Sequence, residues 1–416
     1  MSTNKTSTRF AFIMITSLFF LWGFVHNLDP ILIPHLKKAF SLTTLQASLV
    51  DSAVFIAYFV MALPAGFLMK KYGYKAGIIL GLLLFAIGSY LFIPSANTQS
   101  YVFFLVALFV IACGLTILET AANPYASLLG PPEKATQRLN LAQSFNGLAA
   151  TLAPIIGAKI ILTEGYTTEA LDKMTPVAKE IALAAEASTV KAPYFILGSV
   201  ILIIAVIFFF MKLPEIQEPE AESEKSSVFH AFKHRHLSWA IAAQFFYVGA
   251  QVCVFSFFIL YATKSAGISE MQAAQYAGFG VGMAFMVGRF VGTFFMKYIE
   301  PVKLLALYAA ICTLLCIVAI FSAGMITIYT IIGIAFFMSI MFPTIFSLGI
   351  KELGSDTKFG SSLIIMSIVG GAILPPLFGY IADTYDNIQF GYVVPMGSFL
   401  VILGFALNGH KISTTK

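Results

Sequence analysis

The chain has 416 residues, 59% of them hydrophobic and only 11% charged, and its mean hydropathy of +0.88 lies far above that of a water-soluble domain. That excludes a soluble enzyme or a nucleic-acid-binding module as the body of the protein. The net charge of +5 reads instead as a membrane topology signal, because the basic residues sit in short segments beside apolar runs.

A bilayer is crossed by about 20 apolar residues in helical conformation. Such spans are expected at 10–36, 46–69, 75–94, 102–129, 139–162 and 193–212, and again at 238–263, 272–297, 302–322, 325–350, 360–382 and 389–409. The first begins directly after MSTNKTSTR, without the pattern of a short cleavable leader, and is read as a span. Basic segments KKYGYK (70–75), EKATQR (133–138), KHRH (233–236), KYIEPVK (297–303) and KELGSDTK (351–358) fall on one side, which places both termini in the cytoplasm. Lys37, Lys38 and the mixed-charge loop 163–192 are the exceptions. An acidic stretch ending at Lys225 reads as a flexible linker. The expected organisation is therefore an N-terminal six-helix bundle at 1–212, a cytoplasmic linker at 213–237 and a C-terminal six-helix bundle at 238–416.

The halves resemble each other. GFLMKKYGYK from Gly66 is echoed by GTFFMKYIEP from Gly292, and PYASLLGPPEK from Pro124 by PTIFSLGIKEL from Pro343. A proline and a glycine recur together at Pro154 and Gly157, then at Pro376 and Gly379. Landmarks repeating at a nearly constant offset indicate a six-span duplication, and hence two bundles with a shared central site and alternating access.

Ionisable groups deep in a span are costly, so each is a functional candidate. Glu119 lies in LTILETAANPY, with Asn123 one turn later on the same face and Pro124 beyond it. A carboxylic acid can sit there uncharged and release a proton when a cavity opens to water, which suits proton coupling; the plainer reading is an acid that bonds a neighbouring helix. Trp22, His26 and Asp29 form one stripe in WGFVHNLDP. Asp29 reads either as a coupling carboxylate or as a solvated acid near the mouth, and His26 more simply as a satisfied polar residue. Arg289 reads as a structural residue, snorkelling toward water or clamping a helix terminus, rather than as a substrate contact.

Two uncharged stripes follow: Asn140, Gln143 and Asn146 in RLNLAQSFNG, and Gln244, Tyr247 and Gln251 in AQFFYVGAQ. Carboxamides donate and accept hydrogen bonds and aromatic rings cover C–H faces, so these groups suit a neutral polyol; helix-to-helix bonding is the alternative. Cys113, Cys253, Cys312 and Cys316 lie in apolar windows without metal-binding spacing, so neither metal nor cofactor is expected. No HExxH, GxSxG or paired-acid motif lies in a span, so no enzyme is expected.

LPAGFLMKKYGYKAGI (63–78), LETAANP (118–124), RLNLAQSFN (138–146), AQFFYVGAQ (243–251), GRFVGTFF (288–295) and PTIFSLGIKELGSDTKFGSS (343–362) together resemble the fucose permease family of the major facilitator superfamily, the fucose/galactose/glucose:proton symporters. The resemblance covers nearly the whole chain. It implies an all-α membrane fold of twelve transmembrane helices in two six-helix bundles, in a bacterial inner membrane, importing L-fucose with a proton as a monomer in lipid. It implies Glu119 as the proton-exchanging, substrate-binding acid and Gln143, Asn146 and Asn27 as polar positions of the substrate cavity. The residue stripes themselves add Asp29 as a coupling acid and Trp22, Asn123, Tyr247 and Gln251 as substrate-binding candidates. Asp29 stands one residue away from the family's carboxylate, and Phe342 stands where the family pattern has Tyr.

Overall fold

The computed structural model describes residues 5–27, 36, 39–40, 49–161, 173–214 and 228–412, and in them every regular element is a helix. Ten stretches among them are long and apolar enough to cross a membrane. One, Ala53–Asn97, spans 45 residues, which at ~1.5 Å per residue is about twice a bilayer core. It is two crossings. The break falls at Gly73 (φ 80°, ψ 173°), where the sequence places the KKYGYK loop; an added Cβ meets nothing within 4 Å there, so backbone conformation alone calls for glycine. A further helix, Ala135–Ile161, has 27 residues, long enough to cross, and stands outside the ten. With it and the divided stretch, the described residues supply twelve crossings.

Two boundaries differ from the sequence expectation. The long loop at 163–192 contains a helix, Pro176–Ser188, started by Thr175, whose side chain accepts from Ala178 N–H, with proline in the first turn. The first helix is Lys5–His26, ten residues short of the expected span end; 28–35 lie outside the described residues.

The chain forms two compact units. One comprises residues 21–121 and 152–213. Its helices touch through small residues: a Cβ on Gly114 would lie 2.6 Å from Gly81 O and from Phe85 N. In lipid, where no hydrophobic force pushes helices together, such backbone approach is what holds them. Phe92 and Tyr194 stack at 3.7 Å in the same unit. Gly114→Ala is expected to cost about 1–3 kcal/mol by overpacking, seen as a lower unfolding temperature of the detergent-solubilised protein; unchanged melting would show that the two helices separate freely.

The other unit comprises residues 1–20, 122–151 and 214–416. Here Arg138 closes the end of the helix Tyr101–Leu128: its guanidinium donates to Ala126 O (3.4 Å), to Ser127 O and to Pro131 O (2.6 Å), satisfying carbonyls the helix leaves open. The apolar stretch Met325–Gly349 is interrupted, running as Met325–Met338 and Met341–Gly349 with a turn at Ser339 and Ile340. Phe257 stacks on Phe378 at 4.4 Å. Large apolar side chains such as Phe210 and Phe321 are exposed, as expected of faces turned to lipid.

Candidate functional site

The deep carboxylate comes first. Glu119, on the helix Tyr101–Leu128, is 9% exposed, and Tyr58 Oη donates to its Oε1 at 2.7 Å. Tyr58 sits in the helix Leu49–Asn97, and nothing in DSAVFIAYFVM marks it out. Trp22 is buried, at 2% exposure, whereas His26 is exposed, so the stripe they share does not stay on one environment. Asn27 is half-buried and its side chain donates locally to Gly23 O at 2.7 Å. Asp29 lies outside the described residues.

The remaining candidates belong to the unit that contains 122–151 and 214–416. Gln143 Nε2 donates to Asn123 Oδ1 at 3.0 Å, both residues being buried. The backbone carbonyl of Gln143 accepts from Arg289 Nη1 at 2.7 Å, while Arg289 Nε donates to Ser339 O at 2.8 Å. Ser339 ends the helix Met325–Met338, so its carbonyl carries the partial negative charge of a helix C-terminus. Arg289 is 4% exposed and its guanidinium lies over the Phe285 ring at 4.6 Å. It clamps a helix end, as its position suggests, and does so from within the bundle rather than by reaching for water.

Around this clamp the polar stripes converge. Asn140 Nδ2 donates to Thr344 Oγ1 at 3.1 Å, and Thr136 and Ser347 hydroxyls pair at 2.9 Å. Gln244 and Tyr247 are fully buried, with Tyr247 close enough to Arg289 to feel its charge. Asn146 and Gln251 are half-buried. Among the described residues, several buried polar atoms have no hydrogen-bond partner: Asn123 Nδ2, Asn140 Oδ1, both polar atoms of Gln244, and Tyr247 Oη. Each such atom costs about 1–3 kcal/mol if left unsatisfied. The set is made of carboxamides and a phenol, which match a ligand that both donates and accepts. Thr344 and Ser339 join the cluster without having been singled out in the sequence, because each is brought in by a partner far along the chain.

Residues 10–356 match the model of the Major Facilitator Superfamily. The chain belongs to that superfamily. Among its curated superfamily relatives, the L-fucose-proton symporter of Escherichia coli (strain K12) is 42% identical over 411 residues, covering 97% of this chain and 94% of the relative. The glucose/galactose transporter of Brucella abortus biovar 1 (strain 9-941) is 42% identical over 412 residues, covering 99% and 96%. Among solved structures, that of the Major Facilitator Superfamily transporter FucP in the outward conformation is similar with a TM-score of 0.91 at 41% identity, covering 97% of this chain and 99% of the other. The all-helical membrane fold and the transporter class expected from the sequence both stand.

Proposed function

We propose that this protein is a proton-coupled symporter that imports a neutral monosaccharide, L-fucose, by alternating access of its two sequence halves, 1–212 and 238–416, joined by the linker 213–237. The observation that carries the reading is the set of buried, unpartnered polar atoms on Asn123, Asn140, Gln244 and Tyr247, beside the pair of Gln143 and Asn123. They offer donors and acceptors, the complement of sugar hydroxyls. Asn146 and Gln251, half-buried in the same unit, contribute further polar edges; Trp22 on the first helix and Asn27 just past its end are further substrate-binding candidates.

Glu119 exchanges the proton. It is one helical turn before Asn123, so proton and sugar sites share a helix, and Tyr58 supplies a donor to the carboxylate once the proton has left. Asp29 serves as a second coupling acid on the first span. The protein works as a monomer in the bacterial inner membrane with both termini in the cytoplasm, an orientation supported by the one-sided basic loops.

A second sugar class is favoured by a specific observation: the glucose/galactose transporter of Brucella abortus is as similar as the fucose symporter, and Phe342 lacks the hydroxyl of the family's Tyr. The deciding experiment follows external pH in lightly buffered, de-energised cells expressing the protein, on addition of L-fucose, galactose, glucose and N-acetylglucosamine in turn. Alkalinisation with L-fucose supports the proposal. A response only to galactose or glucose moves the substrate, and silence to all four removes proton-coupled hexose import and directs attention to sodium.

Tyr58→Phe tests the partner of Glu119. A hydrogen bond to a charged group contributes about 1.5–3 kcal/mol, so net uptake should slow by about tenfold or more. Counterflow, in which the acid need never release its proton, should change little. Equal loss of both would make Tyr58 a packing residue only.

A further inference from the structure

On the loop side of the second half, three side chains converge that the transport reading leaves unused. His230 lies in the short helix Val228–Ala231, His234 is the N-cap of the helix Arg235–Ser256, and Asp356 ends the turn Gly354–Asp356 as the N-cap of Thr357–Met366. His230 Nδ1 and His234 Nε2 both meet Asp356 Oδ2, at 2.6 and 3.0 Å. The three ligand atoms lie within 4.8 Å of one another. In the sequence, KHRH was read only as a topology signal.

Asp356 is the informative member. It is 1% exposed, and its Oδ1 has no hydrogen-bond partner among the described residues. An aspartate at an N-cap ordinarily accepts from the backbone N–H groups of the first helical turn, yet the Asp356 side chain makes no such bond. His234 likewise occupies an N-cap without a side-chain bond to its helix. Both caps are turned away from their helices and toward each other. A buried carboxylate that forgoes its helix and leaves one oxygen unpartnered is held for something else.

We propose that His230, His234 and Asp356 form a binding site for a divalent transition ion of the zinc type. Two imidazole nitrogens and a carboxylate are the ligand set such ions take, with a fourth position left for water. In the hydrogen-bonded arrangement each ring presents an N–H to Asp356 Oδ2. Metal binding replaces those two protons: a neutral ring carries its proton on the other nitrogen instead, and an imidazolium releases one to solvent. The rings are 39% and 28% exposed, which gives the displaced protons a route to water. His236 is not part of the set, since its Nε2 faces Lys351 O at 2.9 Å. The ion staples the end of the chain's linker to the turn that starts Thr357–Met366, fixing how the linker enters the helix Arg235–Ser256.

The test uses full-length protein purified in detergent through a tag that contains no histidine, stripped with EDTA and titrated calorimetrically with Zn²⁺. One ion per chain is expected, together with a rise in unfolding temperature. Loss of an outer-shell partner already weakens metal sites by about 10–100-fold, so His230→Gln and His234→Gln should each weaken binding by about tenfold or more and remove the thermal shift. Both variants keep hydrogen-bonding groups and should melt near the wild type without metal. No stoichiometric binding, or binding unchanged in both variants and therefore an adventitious ion only, overturns the site.

Discussion

Glu119→Gln is expected to abolish accumulation of L-fucose against its gradient and the external alkalinisation that accompanies entry, while sugar counterflow persists. The substitution keeps the volume of the side chain and an oxygen to accept from Tyr58 Oη, which lies 2.7 Å from Oε1 in the native chain. Only the exchangeable proton is gone. Because the residue is nearly enclosed, at 9% exposure, a permanently neutral amide resembles the protonated acid, the form in which loaded carrier reorients without moving net charge through lipid. The variant therefore exchanges sugar for sugar but cannot return empty after releasing a proton. Proteoliposomes with an imposed pH gradient separate the two activities: accumulation by Glu119→Gln driven by that gradient would place the coupling proton elsewhere, whereas loss of counterflow as well would make Glu119 chiefly a substrate ligand.

The second large effect is structural. Arg289→Met should lower the unfolding temperature and the folded yield sharply, with Arg289→Lys between it and the wild type. The guanidinium donates to two carbonyls from different helices, Ser339 O at 2.8 Å and Gln143 O at 2.7 Å. Each charged hydrogen bond contributes about 1.5–3 kcal/mol, and methionine fills the space without a donor. Lysine keeps the charge but, as a point donor without the planar fork, does not serve both carbonyls with the same geometry. Size-exclusion chromatography after heating in detergent reads the difference. A methionine variant as stable as the wild type would show that Arg289 is there for the ligand and not for the fold.

How much of this was legible beforehand depends on how local the cause is. The spans were, because the cost of an unbonded peptide group in hydrocarbon forces apolar segments into helices of bilayer length whatever surrounds them, and the Gly73 break was written in KKYGYK. Glu119 and Arg289 stood out for the same reason: a charge in an apolar run is costly by itself. The two uncharged stripes were visible as spacing, and a structural role for Arg289 could be favoured from its depth, although whether it snorkels or clamps was decided by its two carbonyl partners.

What only the tertiary structure decided is who meets whom. Tyr58 joins Glu119 from 61 positions away, Arg289 joins Gln143 across 146, and Asp356 gathers His230 and His234 across 126 and 122. In a soluble protein the amphipathic stripe of each helix points it at its neighbours. Lipid is as apolar as leucine, so here hydrophobicity fixes where a helix crosses but not which face turns inward. That choice is made by small-residue contacts such as Gly81 with Gly114 and by polar pairs that exist only once the helices are packed.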